Sequence, residues 1–178
     1  VNAQSGSRAS LANPDSWLLH PVSISVDSQN RRIIADRGAP ALSVPRPPAV
    51  WRTNALGELE FDNAGPMPVP EPLHSGLPLI EPAAVVVDSN DDYYLLDRGN
   101  YVNAAHQRCT LYHMPAPGHS LNAIMGLGTV VALPLVNPVD MLINNAGELI
   151  VLDRGGPVHS AFLTASFLEF DKGAPARG

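Results

Sequence analysis

Cysteine, lysine and aromatic residues are all scarce in this chain of 178 residues. The single cysteine, Cys109, excludes an intramolecular disulfide framework and an all-cysteine metal cluster. Of 11 basic residues only Lys172 is a lysine, and 17 acidic residues leave a formal net charge of -6. That balance argues against nucleic acid as a partner, because phosphate binding needs clustered Lys and Arg. No apolar run reaches the roughly 20 residues of a membrane-spanning helix, so no membrane span is expected. Aromatics make up 6% of the chain, against 18 Pro and 14 Gly. Such a composition favours many short elements joined by turns over long helices.

The usual catalytic signatures are missing too. No G-x-S-x-G elbow accompanies the serines, and Gly126-Leu127-Gly128 opens no helix that could hold a phosphate. His74, His106, His113, His119 and His159 lack the i,i+4 spacing of a helical zinc motif. His113 and His119 flank Pro115 and Pro117, so both are expected to be solvated in a turn. Cys109, with no basic partner nearby in sequence, reads as a small buried hydrophobe. Residues 1–12 are polar and small, without the basic-then-apolar order of a secretory signal. A chain beginning at Val is expected to be processed or cut from a longer one, with a secreted or periplasmic location.

What is present is a repeat. HPVSISVDSQNRRIIADRG (residues 20–38), EPAAVVVDSNDDYYLLDRG (81–99) and NPVDMLINNAGELIVLDRG (137–155) align without gaps. Proline stands at 21, 82 and 138, and an Asp-Arg-Gly triplet begins 15 residues after each. Every segment reads as a β-hairpin. Its first strand runs from the proline to Asp27, Asp88 or Asn144, where a polar turn follows. Its second strand is 32–35, 93–96 or 149–152, and the short apolar runs suit strands buried on both faces. A third strand is expected at Leu59-Glu60-Phe61-Asp62, which recurs as Leu168-Glu169-Phe170-Asp171, with Leu111-Tyr112-His113-Met114 between. A fourth is expected at 121–125 and again near 67–73, and the proline-rich stretch 45–48 reads as an insertion. Apolar crossovers at 17–19, 77–80 and 133–136 lead into the repeats and are expected to wedge between neighbours.

A unit of three or four strands with an apolar crossover is the signature of a β-propeller blade. The pattern P-x-x-apolar-x-apolar-D, then apolar-apolar-x-D-x-G, then L-x-x-F-D resembles the NHL repeat of six-bladed β-propellers. Residues 138–155 and 167–171 match it best, and the resemblance covers nearly all the chain beyond residue 14. Two features depart from it: the loops after Asp-Arg-Gly are long, and three units stand where the family has about six. The expected fold is therefore all-β, a partial or half propeller of three NHL-like repeats. Its blades would span about 20–76, 81–132 and 137–178, within a propeller region of 17–178. Residues 1–16 form a separate N-terminal segment, expected to add an outer strand across a seam.

Two sets of residues are candidates for chemistry. Arg37, Arg98 and Arg154 would form a ring of guanidiniums able to hold an anionic ligand. A scaffold role competes with that reading: the Asp caps a turn, the Gly supplies a positive φ, and the Arg bridges to a carboxylate of its own or a neighbouring blade. His20, Glu81 and Asn137 precede the strand-opening prolines and would approach the propeller axis at one channel mouth. Their chemistry is similar to the metal centres of lactonase-like and amidating-lyase propellers, and a divalent metal (calcium or zinc) is the ion such a set would take. Three polar residues facing channel water is the competing reading, and no cofactor is expected. The acidic run 88–92 is rich in oxygen but lacks the Gly and Glu of a calcium loop.

With no complete catalytic set, the expected function is a non-catalytic binding or assembly module. It would present a disc face or channel mouth to a protein, peptide or glycan. A metal-dependent lactonase- or lyase-like enzyme is the alternative, and a structural subunit that oligomerises to close the ring is a third reading. Three blades cannot close a toroid, so a second copy or further blades of the same protein are the expected partners.

Overall fold

Each proline-to-Asp-Arg-Gly segment forms the hairpin its two apolar runs predict. The fold comes from a computed structural model, which describes residues 17–39, 46–62, 69–70, 73–75, 79–99, 109–126, 135, 137–155 and 166–170. The N-terminal segment 1–16 and crossover residues 77, 78, 133, 134 and 136 lie outside them. All regular elements described are strands. Among the described residues no helix is long and apolar enough to cross a membrane.

The first blade holds β1 (Pro21–Val26), β2 (Arg32–Asp36), β3 (Ala49–Arg52) and β6 (His74–Ser75), hydrogen-bonded in that order. Beside them β4 (Phe61–Asp62) and β5 (Val69–Pro70) pair as a separate hairpin. The second blade runs β7 (Pro82–Val87), β8 (Tyr93–Asp97), β9 (Thr110–Met114) and β10 (Asn122–Gly126). In the third, β11 (Pro138–Ile143), β12 (Leu149–Asp153) and β13 (Ser166–Phe170) follow the same order. Every pairing within the blades is antiparallel. All three opening hairpins carry the same irregularity just after the proline, at Pro21/Ser23, Pro82/Ala84 and Pro138/Asp140.

One expected strand is misplaced. Leu59-Glu60-Phe61-Asp62 is not the third strand of the first blade; Ala49–Arg52, directly after the prolines, takes that place against β2. The chain then turns at Asn54 and brings Leu59 back against Thr53. Burial decides between the two segments. Ala49, Val50 and Trp51 are all buried, and Thr53 Oγ1 accepts the Arg32 N–H at 2.9 Å, extending the pairing. The fourth strand of that blade is correspondingly His74–Ser75 rather than a strand over 67–73.

The blades stack through their first strands, β1 against β7 and β7 against β11. Between the first two blades Ile33, Ala35 and Val50 meet Val85, Tyr93, Leu95, Tyr112 and Met114, with Leu79 wedged among them. Between the second and third, Ala84, Tyr94, Leu96, Cys109 and Leu111 meet Met141, Leu149 and Val151 around Leu135. Both crossover leucines are thus core, as their place before the repeats predicts. A third cluster covers the outer face of the first blade, where Trp17, Leu18 and Leu59 lie over Ile34, Ala49 and Trp51. This is an all-β, three-bladed portion of a propeller. Burial on both faces holds along all of β8 and, in the first blade, along β2 from Ile33 to Asp36, whereas β1 exposes Ile24 and Val26.

Candidate functional site

The Asp-Arg-Gly triplets sit where each second strand ends. Asp36 Oδ1 and Oδ2 accept the N–H groups of His20 at 3.1 Å, Leu19 at 2.8 Å and Gly38 at 2.6 Å. Asp97 does the same for Ile80, Glu81 and Gly99, and Asp153 for Asn137 and Gly155. The aspartate thus ties the entering chain to the exit turn, with Gly38, Gly99 and Gly155 at positive φ. Gly38 has a second reason to be glycine: a Cβ there would run into the Arg46 carbonyl and lie 2.6 Å from that of Pro47. Burial pushes the Asp97 carboxyl up, and the Glu81 charge adds to this, against the three N–H bonds that favour the ionised form.

The arginines reach the next blade. Arg37 Nε donates to the Pro82 carbonyl at 3.2 Å, and Arg98 Nε donates to that of Pro138 at 3.1 Å. Their Nη1 atoms converge on Glu81 Oε1, at 3.6 Å and 3.3 Å respectively. Arg154, on the last blade, is exposed. Of the channel-mouth set, Glu81 therefore lies between two guanidiniums, while His20 is exposed and Asn137 half-buried at the same register position. No group of three or more His, Cys, Asp and Glu able to hold a metal occurs among the described residues. In the acidic run, Asp88 accepts the N–H groups of Asn90 and Asp92, and Asp91 accepts Ser28 of the first blade. These bonds are those of a turn and of a contact between blades.

Sequence reasoning missed a polar network at the opposite end of the first seam. Tyr93 donates its hydroxyl hydrogen to Asp27 Oδ2 at 2.8 Å and accepts from Arg31 Nη2 at 3.1 Å. Arg31 Nε also bonds Asp27, at 2.6 Å, and Arg52, paired to Glu60 at 2.8 Å, reaches the same hydroxyl. Burial, joined by the bond to Asp27, pushes the Tyr93 hydroxyl up to about 12. The ring of His119 lies flat on Tyr93, with centroids 3.9 Å apart. His119 is buried rather than solvated, which corrects the sequence expectation: its N–H bonds the Pro115 carbonyl, tucking the ring under the turn. A second stack joins Tyr94 and His113 at 4.7 Å, and His113 Nε2 donates to Asp92 Oδ2 at 2.9 Å. The available signal was departure from the repeat, because Tyr93-Tyr94 stands where the other units have Arg32-Ile33 and Leu149-Ile150. Cys109 is buried as expected, and burial pushes its thiol up to about 12.

No protein-family model matches this chain, and neither does any curated protein sequence. A solved structure does. It is the crystal structure of a Thermus thermophilus protein described as a candidate oxidoreductase (glucose dehydrogenase). The match covers 85% of this chain and 45% of that one, with a TM-score of 0.54 and 11% sequence identity. The chain thus spans less than half the length of the protein it matches. At that identity the likeness shows the fold, and it agrees with a partial propeller.

Proposed function

We propose that this chain is a non-catalytic binding and assembly module, a set of NHL-type blades that offers a disc face or channel mouth to a protein, peptide or glycan. One observation carries the reading. Arg37 and Arg98 each donate to the next blade's opening proline and share Glu81, so these groups act in holding blades together. A guanidinium whose Nε is bonded across a seam has fewer donors left for an anion. The two guanidiniums beside Glu81 already balance its charge and would repel a cation brought to it.

An enzyme is the second reading, supported by the description of the Thermus protein as an oxidoreductase. Metal analysis and a dye-linked glucose oxidation assay separate the two. The purified chain is expected to hold no stoichiometric calcium or zinc and to reduce no dye. Stoichiometric metal that is lost in Glu81→Gln, or dye reduction dependent on glucose, would transfer the chain to the enzyme class.

A further inference from the structure

Two blade faces are left open, and their composition states what fits them. In the gap-free repeat, Ile24, Val26, Arg32, Ile34 and Leu18 of the first blade correspond to Val85, Val87, Tyr93, Leu95 and Leu79 of the second. Those five residues of the second blade pack toward the first. On the third blade, Leu142 and Leu152 correspond to Val86 and Leu96, which pack toward the following blade. The exposures differ sharply between equivalent positions: 61% at Ile24 against 2% at Val85, and 36% at Leu152 against 0% at Leu96. Pro21 is exposed where Pro82 and Pro138 are buried, and Arg154 is exposed where Arg37 and Arg98 are half-buried. Ile34 is already buried beneath Trp17 and Leu18, so the first blade is open along Pro21, Ile24 and Val26 and the third along Leu142 and Leu152. These open strips are the two halves of one further blade-to-blade seam.

Charge says which half meets which. At the first formed seam Arg31 lies against the Tyr93 hydroxyl, and Asp27 accepts from it. The third-blade equivalents of Arg31 and Asp27 are Glu148 and Asn144, and the first-blade equivalent of Tyr93 is Arg32. Laying the third blade against a first blade with the formed seam's geometry brings Glu148 and Asn144 over Arg32. An acid meets a base, with an amide oxygen beside them. The same operation carries Arg154 to the Pro21 carbonyl, repeating the Arg37–Pro82 and Arg98–Pro138 bonds.

We propose that a second copy of this chain covers both faces, its first blade against this third blade and its third against this first, in a two-fold closed ring. This rests on the assembly reading above and names the partner. It also places the partner's His20 beside Arg154, so the channel mouth is complete only in the pair.

Sedimentation of the full 178-residue chain across a wide concentration range tests it. The expected species has twice the 18.9 kDa chain mass. Arg32→Glu or Glu148→Arg alone should weaken association by about tenfold or more, because each puts like charges together, and the double reversal should restore most of it. Leu142→Arg probes the same seam from an exposed position, in case Arg32→Glu disturbs the first blade. A monomer at every concentration, a trimer or open polymer, or a dimer indifferent to all these variants would overturn the pairing. Metal binding or turnover would defeat the proposed function without altering the mass, so the two failures are distinguishable.

Discussion

Tyr93 shows how one side chain that departs from a repeat rewires a seam. Its hydroxyl gathers Asp27, Arg31 and Arg52 from the first blade, and its ring carries His119. Burial alone would raise the Asp27 carboxyl, but bonds from the Arg31 N–H, the Tyr93 hydroxyl and the Arg31 guanidinium outweigh it and hold Asp27 down. Asp92 is held down in the same way, the Ala116 N–H and His113 overcoming its burial. Carboxyls depressed in the folded state contribute stability above their unfolded value of about 4, and that stability is lost as pH falls through the folded value. Burial pushes His119 down, so between its folded value and the unfolded value of about 6.5 the unfolded chain binds more protons. Stability should therefore rise with pH across that window and fall as pH drops below about 6.5. Asp97, raised by burial, acts the other way and offsets part of the deeper acid loss. Thermal melts from about pH 8 to pH 3 should show two declines, one starting near 6.5 and one below about 4. His119→Phe keeps a ring on Tyr93 and should erase only the upper decline. A native profile flat between about pH 8 and 5 would contradict a buried neutral His119.

Among elements, the crossovers have the clearest energetic consequence. Leu79 and Leu135 are each buried between two blades, while Leu18, at the equivalent position, is only half-buried. Leu79→Ala and Leu135→Ala should each cost about 2–5 kcal/mol in denaturant unfolding, the usual range for a buried leucine. Leu18→Ala should cost clearly less in the isolated chain; an equal loss would mean that its face is already filled. The hairpins, the polar turns and these crossovers were legible in the sequence because repetition fixes their register relative to one another. The third strand of the first blade was not. Leu59-Glu60-Phe61-Asp62 matches Leu168-Glu169-Phe170-Asp171 letter for letter, yet the competing run Ala49-Val50-Trp51 is the one with a buried face to fill. Local likeness lost to tertiary burial, the common way a strand propensity is overridden. The Asp-Arg-Gly site was legible as a scaffold device, since its aspartate cap and positive-φ glycine follow from residue type. That Glu81 would lie between two arginines of different blades was hidden, because the blade-to-blade offset is a property of packing.

For the molecule as a whole, stability is distributed by how many neighbours each blade has. Repeat architectures draw much of their stability from nearest-neighbour interfaces, so a blade flanked on both sides is held more firmly than one at an open edge. The middle blade has two such interfaces, and all five residues of β8 are buried. In β1 and β11 the residues alternate between covered and open faces, with Ile24, Val26 and Leu142 in solvent. Hydrogen exchange should rank the blades accordingly, with amides of Tyr93–Asp97 slowest and the non-proline amides of Pro21–Val26 and Pro138–Ile143 faster. The ranking also depends on concentration. If a second copy covers the open faces, raising the protein concentration through the association range adds an interface to the first and third blades and none to the second. Exchange in β1 and β11 should then slow by the largest factors, while β8, already limited by opening of the whole assembly, gains only through mass action. Uniform protection across all three blades, unchanged by dilution, would mean that the interfaces do not set local stability and that the open faces have no function in holding the fold.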